Sequence, residues 1–189
     1  MKKFTLELSM VSGYTERTRE NVRQSDLTLV IAKNFSTAGE QLTARCARSC
    51  GKPIVRVLHN TPFLIDILDY FVRAMNRAYE KKCTPLILHG AGNGLYTLGE
   101  SQKEADAFAL MFLQRALENP MRHFEIGEVR SGGQTGYDVA IVKAAISLGI
   151  PARIHCARSA SGHYMIRTAD GTDRAYDADV YLEKMGIEK

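Results

Sequence analysis

Leu27-Thr28-Leu29-Val30-Ile31-Ala32 is a short, almost wholly apolar run. Six residues are too few for a typical helix, and the run shows no polar face. That is the pattern of a strand covered on both sides. Its flanks extend the reading. Downstream, Glu40 to Ser49 reads as a helix stopped by Cys50-Gly51 and Pro53, and Ile54 to Leu58 as the next strand. Upstream, Phe4 to Ser9 alternates as a half-buried strand does, and Tyr14 to Gln24 is compatible with a helix. The alternation continues with a helix over Phe63 to Tyr79, a strand over Pro85 to Leu88, and an apolar helix over Lys103 to Leu117. A strand over Phe124 to Val129, a helix over Tyr137 to Leu148 and a strand over Ala152 to Cys156 follow. Beyond Gly162 the pattern predicts a hairpin and a short helix from Asp177 to Met185. Strands separated by helices of this length need crossover connections. The expected class is therefore α/β, a Rossmann-like three-layer sandwich with a mainly parallel sheet. With no Pro-, Gly- or Ser-rich linker and no repeat, residues 1–189 are expected to form one domain.

Composition sets the outer limits. The 189 residues are 45% hydrophobic and 24% charged, which excludes disorder, collagen and coiled coil for the whole chain. No apolar run approaches the roughly 20 residues that span a bilayer, so no membrane partner is expected. The start, MKKFTLELSM, has the Lys2-Lys3 pair of a secretory leader, but Thr5, Glu7 and Ser9 interrupt the apolar segment that should follow. A cytoplasmic location is expected. Cys46, Cys50, Cys83 and Cys156 are too scattered for a disulfide framework and lack zinc-ribbon spacing, so reduced thiols are expected. The five histidines are dispersed, with neither HxxxH nor HExxH spacing, and no metal site is expected. Twenty-five Lys and Arg against 21 Asp and Glu give a net charge of +4. No run of five basic residues accompanies it, so nucleic acid is not indicated.

In an open parallel sheet, ligands sit outside the carboxyl ends of the strands. Three strand ends here carry unusual residues. Ser131-Gly132-Gly133-Gln134-Thr135-Gly136-Tyr137-Asp138 joins a strand to a helix. Its glycines let the backbone approach a ligand, the helix start offers N–H groups to an anion, and Ser131, Gln134 and Thr135 add donors. The spacing is neither GxGxxG nor a Walker A loop. His89-Gly90-Ala91-Gly92-Asn93-Gly94 is expected to be a second glycine loop, forming another wall of the cleft. Asn34-Phe35-Ser36-Thr37-Ala38-Gly39-Glu40 is expected to bring Ser36, Thr37 and Gly39 to a phosphate, unless Ser36 or Thr37 merely caps the helix. Arg17 and Asn21 share a helix face, with Gln24 nearby, and Arg17 suits a bidentate anion clamp. Cys156 ends a strand and is a candidate to face the cleft.

At these motifs the chain resembles a known family. Gly132 to Asp138, followed by Ala144-Ala145 and Leu148-Gly149-Ile150-Pro151, is similar to the opening of the molybdenum-cofactor carrier proteins, GGQTG-x-D with a helix and LGIP. Tyr14 to Val57 resembles the second half of that family, RT-x-x-NV-x-x-SD, a strand, a loop with LT, a helix and KP. The halves stand in reversed order, so the chain looks like a circular permutation of the family pattern. The wider group is the SLOG superfamily of Rossmann-like proteins, which includes the LOG-type phosphoribohydrolases. In those enzymes the loop PGGxGTxxE carries a catalytic Glu. Aligned on Gly39, that position falls at Thr43, with Glu40 nearby at a different spacing.

The resemblance and the loops together imply a phosphorylated small-molecule ligand, most simply a nucleotide or nucleotide derivative. Gly132, Gly133, Gln134, Thr135 and Gly136 are expected at the phosphate, with Asp138 orienting the loop. Ser36, Thr37 and Gly39 face them, Gly92, Asn93 and Gly94 approach the base or sugar, and Arg17 and Asn21 bind the anion. Gly133→Val is expected to abolish binding in a folded protein. Three alternatives stand beside this: a molybdenum-cofactor carrier, a LOG-like N-glycosidic hydrolase using Glu40 or Asp138, and a non-catalytic interaction module. A homo-oligomer is expected from the resemblance.

Overall fold

The computed structural model describes residues 4–188. The Lys2-Lys3 pair lies outside them. The chain runs through β1 (Phe4–Ser12), α1 (Tyr14–Arg23), β2 (Leu27–Ala32), α2 (Ala38–Ser49), β3 (Ile54–Leu58), α3 (Leu64–Lys82) and β4 (Leu86–Gly92). It continues with α4 (Leu95–Leu98), α5 (Gln102–Glu118), β5 (Ile126–Ser131), α6 (Tyr137–Ser147) and β6 (Ala152–Arg158). The hairpin β7 (Tyr164–Arg167) and β8 (Asp173–Tyr176) and the helix α7 (Ala178–Met185) close the described chain. The sheet order is β3-β2-β4-β5-β6, with β1 parallel to β6. All pairings among these six strands are parallel, and the β7–β8 hairpin adds antiparallel pairing at the end of β6. The α/β, mainly parallel, Rossmann-like architecture is as expected.

The connections explain the layers. From β1 to β2 and from β2 to β3 the chain moves one way along the sheet. From β3 through β4 and β5 to β6 it moves the other way. Right-handed crossovers then place α1 and α2 on one face and α3, α5 and α6 on the other. The side chains agree. Leu27, Leu29 and Ile31 of β2 join Phe71, Phe112 and Ile141 in the main core, while Val30 and Ala32 pack with Ala91 and Phe35 on the opposite side. A continuous apolar run was needed because both faces are covered. Phe71 and Phe112, both fully buried, meet edge to face at 5.4 Å and tie α3 to α5. Each buries side-chain surface worth about 2–3 kcal/mol. β2 and β4 are neighbours, and the chain leaves them in opposite directions. Their carboxyl ends therefore form a switch-point crevice.

Several boundaries differ from the sequence reading for definable reasons. The expected loop His89–Gly94 is strand as far as Gly92. Gly90 and Gly92 share one strand face, where a Cβ on Gly90 would lie 2.5 Å from Ile141 Cγ2 and one on Gly92 would strike the Ile31 carbonyl oxygen. These glycines let α6 press against the sheet. β1 runs on to Ser12 because β6 continues beside it as far as Arg158. β5 starts at Ile126, two residues late, because Phe124 is buried in the core ahead of the ladder. The start of α5 is fixed by a capping box between Ser101 and Glu104, a signal present in the sequence but unused above. No helix among the described residues is long and apolar enough to cross a membrane. The four cysteines are free, and Cys46 and Cys156 are buried.

Candidate functional site

A cavity of about 500 Å³ opens at the carboxyl ends of the strands, beside the β2/β4 crevice. Small-molecule sites typically measure roughly 300–1,000 Å³. Its wall is assembled from α1 (Tyr14, Arg17, Thr18), the start of α2 (Thr37 to Glu40, Leu42, Thr43), β4 and the residues after it (His89, Ala91, Gly92, Gly94, Tyr96, Thr97), the loop into α6 (Gln134, Thr135, Asp138) and Arg167 of β7.

Arg17 is the central charge. It stands in the first turn of α1 and points inward, with Nη1 3.6 Å from Asp138 Oδ2 and both side chains 7% exposed. Its guanidinium lies 5.7 Å from the centre of the Tyr14 ring. Nε has no partner among the described residues. Asp138, in the first turn of α6, accepts hydrogen bonds from Gly92 N–H at 3.3 Å and Gln134 N–H at 3.4 Å. Burial nonetheless raises its carboxyl above the ordinary range, against the pull of Arg17 and these amides. Glu40 is also raised, by burial first and with the Asp138 charge adding, although its own amide and the Asn93 side chain oppose the rise. His89 is driven down to about 3 by burial and by the neighbouring Arg17 charge, so it stands in the wall as a neutral imidazole. Thr28 Oγ1 lies 3.3 Å from its Nδ1.

The start of α2 is an open part of the wall. Thr37 takes the N-cap position, but its hydroxyl makes no capping hydrogen bond. Gly39 has open space where a Cβ would stand. Thr43 faces the same cavity while its hydroxyl donates to the Gly39 carbonyl at 3.0 Å.

Of the residues singled out from the sequence, Arg17, Thr37, Gly39, Glu40, Gly92, Gly94, Gln134, Thr135 and Asp138 lie in the wall. Asn21, Ser36, Asn93, Gly132, Gly133 and Gly136 stand outside it. Asn21 of α1 is fully buried, and neither of its amide atoms has a partner among the described residues. The Ser36 hydroxyl donates to Asn34 Oδ1 at 2.6 Å. Asn93 is a bracket for the β2–α2 loop: its Oδ1 accepts from the amides of Lys33 and Asn34, and its Nδ2 donates to the Asn34 carbonyl.

The glycines of Gly132 to Gly136 make room for the protein itself. A Cβ on Gly132 would collide with the Arg17 guanidinium, one on Gly133 with the Tyr181 hydroxyl and Ile154, and one on Gly136 with the Asn93 carbonyl oxygen. Gly133 also has φ +68°. Gly133→Val is therefore a lesion of packing and backbone, and the expectation of a folded, non-binding variant is corrected. Several amides of the loop are spent internally: Gln134 N–H on Asp138, Gly136 N–H on Gln102 Oε1 at 2.7 Å and Tyr137 N–H on the Asn93 carbonyl. Gln134 clamps the hairpin, donating through Nε2 to the Met165 carbonyl at 3.0 Å and accepting at Oε1 from Arg167 N–H at 2.8 Å.

Two further expectations are corrected. Cys156 is buried in the main core with its thiol on the Met165 carbonyl, and burial pushes the thiol up to about 11. Gln24 ends α1 and accepts from Arg130 through its side chain, away from Arg17 and the cavity wall. Sequence reasoning missed Tyr14, Thr18, Tyr96, Thr97 and Arg167. Tyr14 and Thr18 were within reach of it, because Tyr14 stands three residues before Arg17 and four before Thr18, the spacing of one helix face. Arg167 carried no local signal, since only the hairpin's return over the loop brings it in. Among the described residues, no group of three His, Cys, Asp or Glu side chains is placed to hold a metal ion.

Comparison with known proteins gives a family match over part of the chain. Residues 1–78, from β1 through most of α3, match the model described as the circularly permutated YpsA SLOG family. No curated protein matches the chain. Among solved structures, the chain is similar to chloroplast FtsY from Physcomitrella patens at 14% identity, over 98% of this chain and 66% of that one. The TM-score of 0.27 is too low for that likeness to carry any argument.

Proposed function

We propose that the cavity binds a phosphorylated small molecule, a nucleotide or nucleotide derivative, a reading supported by the match of residues 1–78 to the circularly permutated YpsA SLOG family. One observation carries the reading. Arg17 is 6% exposed, lines the cavity, and has no partner for its Nε among the described residues. An unpaired buried N–H costs about 1–3 kcal/mol. A phosphate oxygen entering the cavity supplies the missing acceptor and is recognised by the guanidinium plane. The uncapped start of α2 offers further N–H groups and a favourable dipole. In this reading the loop Gly132 to Gly136 is the scaffold that seats Arg17 and the hairpin, while Arg17 and α2 hold the anion.

The donor set is guanidinium, hydroxyl and amide, which suits oxyanions. It fits the phosphate of a nucleotide and that of a molybdopterin alike. The test is isothermal titration calorimetry with AMP, GMP, CMP and UMP, with differential scanning as a second readout. A ligand at 100 times its dissociation constant raises stability by about 2.7 kcal/mol. Arg17→Gln is expected to remove that gain. Binding unchanged in Arg17→Gln would overturn the assignment.

A second reading rests on Glu40. Its carboxyl lines the cavity and is raised by burial, which suits an acid or a stabiliser of an oxocarbenium ion during N-glycosidic cleavage. Release of free base from a bound nucleotide, lost in Glu40→Gln, would establish it.

A further inference from the structure

Tyr96 differs from Tyr14, the other tyrosine in the cavity wall. Tyr14 is already engaged: Arg17 and Arg167 each lie 5.7 Å from its ring centre, and its hydroxyl donates to Asp173 Oδ1 at 2.8 Å. Tyr96 lines the cavity and remains 63% exposed, a large ring held in water at the mouth of a concave site.

The helix that carries the ring is anchored on either side of Tyr96. The ring stands on α4, whose first N–H, at Leu95, donates to Thr135 Oγ1 at 3.5 Å and whose Leu98 is 1% exposed in the core. On one side it rests against the turn between β7 and β8. Gly171 has φ +84°, and a Cβ there would come within 2.9 Å of the ring at Cε2 and 3.1 Å at Cδ2. That turn is stiffened by Asp170 Oδ1, which accepts from Thr172 N–H at 3.0 Å and from the Thr172 hydroxyl at 2.7 Å. An aromatic side chain fixed in this way loses little further entropy when a flat partner covers it.

We propose that Tyr96 is the stacking platform of the cavity, so that the ligand is a phosphorylated molecule bearing a planar heteroaromatic ring rather than a bare sugar phosphate. The inference rests on the phosphate-binding reading above and extends it to the other end of the ligand. Stacking on an aromatic ring is tolerant of ring identity, since every base presents a π-face. Discrimination among bases is then left to the polar groups around Tyr96, such as Thr97.

The experiment compares AMP, GMP, CMP, UMP and ribose 5-phosphate by calorimetry on wild type, Tyr96→Ala and Tyr96→Phe. Thermal melts confirm that the variants fold, which an exposed position favours. Tyr96→Ala is expected to weaken the nucleotides at least about fivefold and to leave ribose 5-phosphate unchanged, with Tyr96→Phe close to wild type. Nucleotide affinity unchanged in Tyr96→Ala overturns the platform and leaves the phosphate site standing. An equal loss for ribose 5-phosphate overturns it too, because the effect would then belong to the shape of the mouth. If wild type binds none of the five compounds, the phosphate-binding reading fails and takes this inference with it.

Discussion

The Arg17 guanidinium occupies the space that a Cβ on Gly132 would fill, and from there it reaches Asp138 Oδ2 at 3.6 Å. The glycine at the start of the loop is therefore a seat for a side chain from the first helix of the chain. This couples the two segments that carry the family resemblance, Tyr14 to Val57 and Gly132 to Asp138, through one buried ion pair.

Gly132→Ala is expected to displace Arg17 and to destabilise the fold by about 1–3 kcal/mol, as overpacking does. Gly39→Ala is the control. It meets open space within a helix, so stability should stay level or rise by up to about 1 kcal/mol while nucleotide binding weakens at the narrowed start of α2. Urea denaturation of both variants gives the sign of each effect.

Asp138→Asn leaves the Arg17 charge buried without its counter-ion. A cost of about 3 kcal/mol is expected. Combining it with Arg17→Met should recover more than half of that loss, because the stranded charge is gone. A double-mutant cycle on denaturation midpoints measures the coupling, and simple additivity would show that the pair is energetically idle.

The pH dependence should carry two opposed contributions. His89 is held near 3 in the fold and returns to roughly 6.5 when unfolded. The unfolded chain therefore binds the extra proton, and stability present above about 6.5 is lost as pH falls, at up to about 1.4 kcal/mol per pH unit. Glu40 is raised in the fold, so its contribution is present below about pH 4.3 and is lost as pH rises through its raised value. His89→Gln should flatten the acid side, and Glu40→Gln should gain on wild type toward neutral pH. Denaturation series from pH 4 to 8 on the three proteins separate the contributions.

Gln134→Ala removes two of the hydrogen bonds that clamp β7 to the loop and leaves the one from the Thr135 hydroxyl to the Arg167 carbonyl at 3.0 Å. Amide exchange over residues 164–176 should accelerate, with a stability loss of about 1–3 kcal/mol. Gln134→Glu should do the same, since a carboxylate oxygen would face the Met165 carbonyl. Protection unchanged in both variants would mean that the hairpin is held by other contacts.

Much of the architecture was legible because it is written locally. The apolar run Leu27 to Ala32 matched β2 without revision, and Ile54 to Leu58 matched β3. The helix expected over Asp177 to Met185 is α7, and Asp177 proves to be its cap rather than its first residue, with Oδ1 accepting from Val180 N–H at 2.9 Å. The glycines misled for a definite reason. Gly90 and Gly92 looked like loop residues, yet they serve a strand pressed by α6, and the clashing partner Ile141 lies far along the chain.

The sequence by itself determined the alternation of strands and helices, the parallel class and the presence of glycine-rich strand ends, because each depends on neighbours within one element. It also carried the resemblance to a circularly permutated family, which the match over residues 1–78 supports. The tertiary structure alone decided which glycines face a cavity and which face the protein's own atoms. It placed the open helix start at α2, spent amides of the α6 loop on Asp138, Gln102 and Asn93, and carried Arg167 and Tyr96 to the rim. The physical reason is that a missing side chain records only that space is needed. What fills that space is set by residues brought together from β2, α1, α6 and the hairpin when the sheet assembles.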